Sequence, residues 1–224
     1  MATSTAFRID RCGVCGRPTR GFAHCFCCTT IVEQLALPLV PVVAMTEYRI
    51  GDRMHGLLRG YKDAPSTEAR AARRSALAAL VELWLAANGD AVRARFSGGW
   101  DLVTTVPSSC GRAGSPADAL VQAIPGLAGL DQPLLVRGDE PLGHLLASRR
   151  GYVASSGIDR RALHARKVLV FDDTVTTGAR AQSAAAALRT CGARVAGILV
   201  VGRVLGIEPR QPVTLKGAAG DGLG

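Results

Sequence analysis

Lys167 to Arg180 reads KVLVFDDTVTTGAR. Its opening residues, Lys167 to Phe171, form a near-continuous apolar run of strand length, which predicts a strand buried on both faces, as in a parallel sheet covered by helices. The strand is expected to end at Asp172 and Asp173. A turn of small hydroxyl residues follows, Thr176 and Thr177 then Gly178, and a helix is expected over Gly178 to Thr190. Backbone amides at such a turn, and in the first turn of a helix, lack intrahelical partners and point outward. They suit a phosphate, and threonine hydroxyls add donors at the same place. Gly178 lets the backbone approach a ligand closely. Two carboxylates in front of an anion cradle would repel the anion unless something occupies them. A sugar diol does so by donating hydrogen bonds, as in dinucleotide folds, and a bridging Mg²⁺ would reduce the repulsion further. The plain alternative, an acidic helix cap followed by a turn, gives no role to the ordered succession of strand, acidic pair, Thr-Thr-Gly and helix.

Outward from this stretch, Asp101 to Val106, Pro133 to Val136 and Arg194 to Val201 are further apolar runs of strand length. Ser115 to Ile124 and Leu142 to Arg149 are helix candidates between them. The alternation predicts an α/β fold over residues 66–205, a parallel sheet flanked by helices whose ligands collect at the carboxyl ends of the strands. Ser66 to Ala87 reads as one long helix, with Ala71, Ala78, Leu80, Leu83 and Trp84 able to share a face. Residues 31–65 read as a connector: a short helical candidate, an apolar run holding Pro38 and Pro41, and a segment ending GLLRGYKD. Residues 206–224 dissolve into Gly, Pro and Ala without periodicity and are expected to fray.

Residues 10–30 form a separate compositional unit, because five of the seven cysteines fall there. Cys12-x2-Cys15-x9-Cys25-x2-Cys28 supplies two CxxC knuckles, the spacing of a tetrahedral four-thiolate Zn²⁺ site in a zinc-ribbon-like module. Such a site folds a segment with too little apolar content to fold alone. Cys27 and His24 are surplus, so either could replace one of the four. A redox CxxC would want a preceding strand and a following helix, which these pairs lack.

The 224 residues are 48% hydrophobic and 20% charged, which excludes wholesale disorder. The longest apolar runs, Leu35 to Met45 and Leu77 to Ala87, reach about half the ~20 residues of a spanning helix, so no membrane span is expected. The N-terminus MATSTAFRIDRCG lacks the apolar core of a secretory signal, which predicts a cytoplasmic protein with reduced thiols. Lys and Arg total 27 against 18 Asp and Glu, a net +9. That charge would attract phosphates or nucleic acid, but all but Lys62, Lys167 and Lys216 of these cations are arginines in an Ala- and Gly-rich chain, a composition that biased coding also produces.

The stretch Lys167 to Arg180 resembles the motif by which type I phosphoribosyltransferases bind 5-phosphoribosyl 1-pyrophosphate (PRPP). By that resemblance Asp172 and Asp173 hold the ribose hydroxyls, and Thr176, Thr177, Gly178, Ala179 and Arg180 wrap the 5-phosphate. Many members have Thr or Ser where this chain has Arg180. Some purine-salvage members have an acidic residue where this chain has Thr176, which argues against purine salvage. With the cysteine module in front, the chain resembles the ComF family, bacterial proteins with an N-terminal zinc-ribbon-like module and a phosphoribosyltransferase-like domain. The likeness spans most of residues 10–205, including Tyr48 to Asp63 and DLVTTVPSSCGR, Asp101 to Arg112. It implies that Ser108, Ser109, Gly111 and Arg112 meet pyrophosphate, and that Arg137 to Tyr152 corresponds to a flexible loop, with His144 where the family has Gln.

Two activities are implied. One is a glycosyltransferase reaction: a nitrogen nucleophile attacks the anomeric carbon of PRPP, Mg²⁺-pyrophosphate leaves, Asp172 and Asp173 position the ribose and Arg112 neutralises the leaving group. The other is non-catalytic binding of single-stranded DNA in bacterial DNA uptake (competence), carried by Arg149, Arg150, Arg160, Arg161 and Arg166. Aromatic residues are only 4%, so such binding would be electrostatic rather than by base stacking. The resemblance also admits a homo-oligomer or partners in an uptake machinery. A zinc-stabilised scaffold for protein partners is a third reading, and it needs the cysteine module alone.

Overall fold

A computed structural model describes residues 11–19, 21–108, 115–164 and 166–206. The elements in chain order are α1 (Phe26–Leu35), β1 (Val42–Tyr48), α2 (Arg53–Asp63), α3 (Thr67–Arg95), β2 (Leu102–Thr105), α4 (Pro116–Gln122), α5 (Pro125–Ala128), β3 (Leu135–Arg137), β4 (Tyr152–Ala154), α6 (Arg160–His164), β5 (Lys167–Val175), α7 (Ala179–Thr190) and β6 (Arg194–Val204). Four strands form a parallel sheet in the order β1-β6-β5-β2, and β3 pairs antiparallel with β4 in a separate hairpin. The chain is thus α/β, a parallel sheet flanked by helices.

The two faces of the sheet follow from the period-2 pleat of its central strands. Val168 and Val170 of β5, with Ile198 and Val200 of β6, bury against α7, the β3–β4 hairpin and the cysteine module. Leu169 and Phe171, with Leu199 and Val201, bury against α2, α3 and α4. α2 can settle close to the sheet because position 202 is glycine. A Cβ there would fall 2.6 Å from both Leu58 and Tyr48.

Four expectations are revised. β5 runs on to Val175, so the acidic pair lies inside the strand rather than after it. Residues 31–65 contribute β1, an edge strand of the sheet paired to β6; the two prolines lie ahead of β1 and leave its amides intact. Leu142 to Arg149 is not a helix. Its backbone bonds to side chains instead, Ala147 N–H to Gln34 Oε1 at 2.7 Å and Ser148 N–H to Ser183 Oγ at 3.0 Å, and it follows a proline. α3 extends to Arg95 and buries Leu77, Ala78, Val81 and Val92, while Leu80 and Leu83 lie exposed. An Ala-rich helix with leucines on more than one side does not announce which face the sheet will take. α3 is the one described helix long and apolar enough to cross a membrane by length and composition.

Candidate functional site

β5 ends at Val175, and the chain turns through Thr176 and Thr177 to Gly178, which has φ +93° and opens α7 with no side chain capping it. A left-handed φ at this N-cap suits glycine and brings the first-turn amides of α7 into the open mouth of the turn. Together with Leu142, Gly143 and His144 from the segment across the mouth, the turn encloses a cavity of about 240 Å³. Its lining holds Asp172, Thr176, Thr177, Gly178, Ala179 and Arg180. The Thr177 hydroxyl donates to the His144 carbonyl and ties the two walls together.

The acidic pair divides across the sheet. Asp172 follows Val168 and Val170 onto the α7 face and into the cavity, where its Oδ1 accepts from the Asp173 amide at 2.9 Å. Burial, and then the neighbouring Asp173 charge, push its carboxyl up to about 7, against the opposing pull of Arg180 and Lys62. Asp173 follows Leu169 and Phe171 to the other face. There Oδ2 accepts from the Tyr61 hydroxyl and pairs with Lys62 Nζ, both on α2. The two carboxylates therefore do not line one cavity. Tyr61 and Lys62 are the residues that a reading of the sequence missed; the signal was the segment GLLRGYKD itself.

The other predicted residues are placed as follows. Ser108 lies beyond the carboxyl end of β2, one residue after Pro107, whose carbonyl accepts from Tyr152 at 3.2 Å. Ser109, Gly111 and Arg112 fall outside the described residues. Two of the five arginines are engaged internally: Arg149 donates to the Leu35 and Ala36 carbonyls, and Arg150 pairs with Asp139. Arg160, Arg161 and Arg166 are exposed.

The cysteine module sits behind the turn at 176–178. Cys12 and Cys15 flank a tight turn in which Gly16 N–H donates to Cys12 O at 2.8 Å, and Cys25 and Cys28 stand at the start of α1. The sulfurs of Cys12, Cys15, Cys25 and Cys28 all lie within 4.8 Å of one another, with Cys15 and Cys25 at 3.6 Å. A tetrahedral Zn²⁺ with sulfurs at about 2.3 Å places them about 3.8 Å apart, so these four can hold a structural metal such as zinc. Hydrogen bonds from Cys15, Cys27 and Cys28 hold Cys25 far below an ordinary thiol, while the bond to Cys25 pushes Cys15 up to about 12. His24 is exposed, and the Cys27 sulfur accepts from Arg17 Nη1 at 3.7 Å.

Arg17 also donates through Nη2 to the carbonyl of Thr176, joining the cysteine knuckle to the cavity's own turn. Arg203 of β6 donates to the Cys15 carbonyl and pairs with Glu47 at 3.1 Å. Gln182 of α7 clamps Val40, accepting from its N–H at 3.1 Å and donating to its O at 2.8 Å. The module is thereby braced on the turn after β5 and on β6, and α7 holds the segment that leads from α1 into β1. Compared with family models and with curated proteins, the chain matches none.

Proposed function

We propose that the chain binds a ribose 5-phosphate ester, foremost PRPP with Mg²⁺, as a phosphoribosyltransferase-like protein of ComF type. The observation that carries this reading is one cavity lined by a buried carboxylate, Asp172, and by the Thr176–Arg180 turn at the N-terminus of a helix. The turn offers amides and the Thr176 hydroxyl to a 5-phosphate, while the Thr177 hydroxyl holds the facing wall through His144, and Asp172 offers an acceptor to ribose hydroxyls. Asp173, held by Tyr61 and Lys62, acts as a positioning residue that fixes the end of β5. Mg²⁺ arrives with the pyrophosphate it neutralises.

Transfer would break the bond between the anomeric carbon and pyrophosphate and form one to a nitrogen acceptor, whose proton leaves to solvent. Catalysis would rest on positioning and on neutralising the leaving group, with Arg112 and Ser108 the candidates for the latter. Titration calorimetry with PRPP·Mg²⁺ and with ribose 5-phosphate tests the binding. Saturable heat with both supports it, and no heat with either at millimolar ligand overturns it. Release of pyrophosphate in a screen of bases, glutamine and ammonia then separates an enzyme from a binding module.

A further inference from the structure

α3 buries one side and leaves the other bare. Leu77, Ala78, Val81 and Val92 pack on the sheet, while Leu80 is 46% and Leu83 69% exposed. The exposed leucines belong to a longer pattern. Positions 73, 80, 87 and 94 carry Arg, Leu, Ala and Ala, and positions 69, 76, 83 and 90 carry Ala, Ala, Leu and Asp. Each set repeats every seven residues, and the two are offset by three and four, which is the spacing of a coiled-coil seam. All eight positions are exposed except Ala69, which is half-buried. The seam faces away from the chain's own core.

The pattern is complementary to itself when reversed. With two α3 helices antiparallel about a two-fold axis between positions 81 and 82, Leu80 of one copy meets Leu83 of the other. Ala76 then meets Ala87, and Ala69 meets Ala94. Arg73 meets Asp90, so an ion pair stands one step inside each end of the contact. Leucines fill the middle, and alanines on both sides let the axes approach to the short end of the usual 8–10 Å. A parallel pairing would set Arg73 against Arg73 and Asp90 against Asp90. The charges thus choose the antiparallel arrangement, and an isologous contact of this kind is what a two-fold dimer requires. The same charges speak against a bilayer as the occupant, because they stand in the seam and the helix's other face is already packed on the sheet.

We infer that the exposed face of α3 is a homodimer interface, an antiparallel helix pair built from Leu80, Leu83 and their flanking alanines and oriented by Arg73 and Asp90. The seam is about 38 Å long at 1.5 Å per residue, one helix pair wide, and belongs among small interfaces with dissociation constants on the order of micromolar. The Arg73 side chain lies over Gly60 of α2 and the residue stays exposed, so pairing with Asp90 of a second copy requires the guanidinium to swing off α2 into the seam.

Sedimentation equilibrium of the full chain between about 1 and 200 µM brackets that range. The average mass should climb from 23.3 kDa toward its double. Leu83→Glu should hold the chain at monomer mass throughout, with an unchanged circular dichroism spectrum because the site is exposed. Arg73→Asp alone should raise the dissociation constant about tenfold through two repulsive pairs, and the double variant Arg73→Asp, Asp90→Arg should restore it. Positions 73 and 90 stand about 25 Å apart along one helix, so rescue has to come from a second copy. Monomer mass at the highest concentration overturns the inference, and so does a dimer that none of these variants weakens. Flotation of a monomeric chain with phosphatidylcholine vesicles, lost in Leu83→Glu, would overturn it in favour of a lipid surface.

Discussion

At the scale of single residues, the divided acidic pair gives two side chains of one type different tasks. Asp172→Asn should lower affinity for PRPP·Mg²⁺ by about tenfold or more, since an amide is a poorer acceptor for a diol than a carboxylate. Asp173→Asn should chiefly cost stability, about 2 kcal/mol by urea denaturation, because Lys62 and Tyr61 lose a charged partner. If Asp173→Asn abolishes binding at full stability, the assignment of tasks is wrong. The raised Asp172 carboxyl adds a pH dependence with a definite sign. Between its ordinary value of 3.8 and about 7 the folded chain holds a proton that the unfolded chain has released, so this residue's share of stability is full below pH 4, declines as pH rises to 7, and is constant beyond. Affinity for the proposed ribose ester should follow the ionised form, rising about tenfold per pH unit up to 7 and then levelling. Calorimetry from pH 5.5 to pH 8.5 on the wild type and on Asp172→Asn, which should keep only the slope of the ligand's own phosphate ionisation near pH 6, checks both.

At the scale of elements, the cysteine module and the turn after β5 are one construction. Arg17 leaves the Cys12–Cys15 knuckle and ends on Thr176 O, so the shape of the knuckle is transmitted to the turn after β5. Protein made in metal-replete medium should carry one zinc per chain by elemental analysis, and Cys28→Ser should lose it. Arg17→Ala should retain zinc while weakening PRPP binding about three- to tenfold, the scale of one charge-assisted hydrogen bond. Zinc retained by Cys28→Ser would shift a ligand to Cys27 or His24. Unchanged binding in Arg17→Ala would reduce the bridge to a structural brace. The segment 141–150 belongs here as well, since its conformation is set by Gln34 of α1 and Ser183 of α7 and its His144 carbonyl closes over Thr177.

At the scale of the whole molecule, the net +9 and the arginines at 149, 150, 160, 161 and 166 are what invite nucleic acid. All five arginines are exposed, but Arg149 and Arg150 are committed to internal partners, so the prediction rests on Arg160, Arg161 and Arg166. Three phosphates neutralised on a single strand should give a slope near two log units in the binding constant per log unit of salt. Anisotropy titrations with a labelled oligonucleotide measure it, and Arg160→Ala, Arg161→Ala should cut the slope to about one third. A slope unchanged in that variant would move the contact elsewhere. What the sequence by itself determined was local. An unbroken apolar run, a Thr-Thr-Gly turn and a following helix need only neighbours along the chain, so β5, the turn and α7 were legible, as were two cysteine pairs whose spacing is their chemistry. The tertiary structure decided which distant parts meet. The pleat of β5 sends Asp172 and Asp173 to opposite faces, the close seat of α2 over Gly202 brings Tyr61 and Lys62 to one of them, and long-range pairing makes residues 42–48 a strand of the sheet. None of these follows from periodicity, because each depends on contacts between residues far apart in sequence, where packing and hydrogen bonding override local propensity.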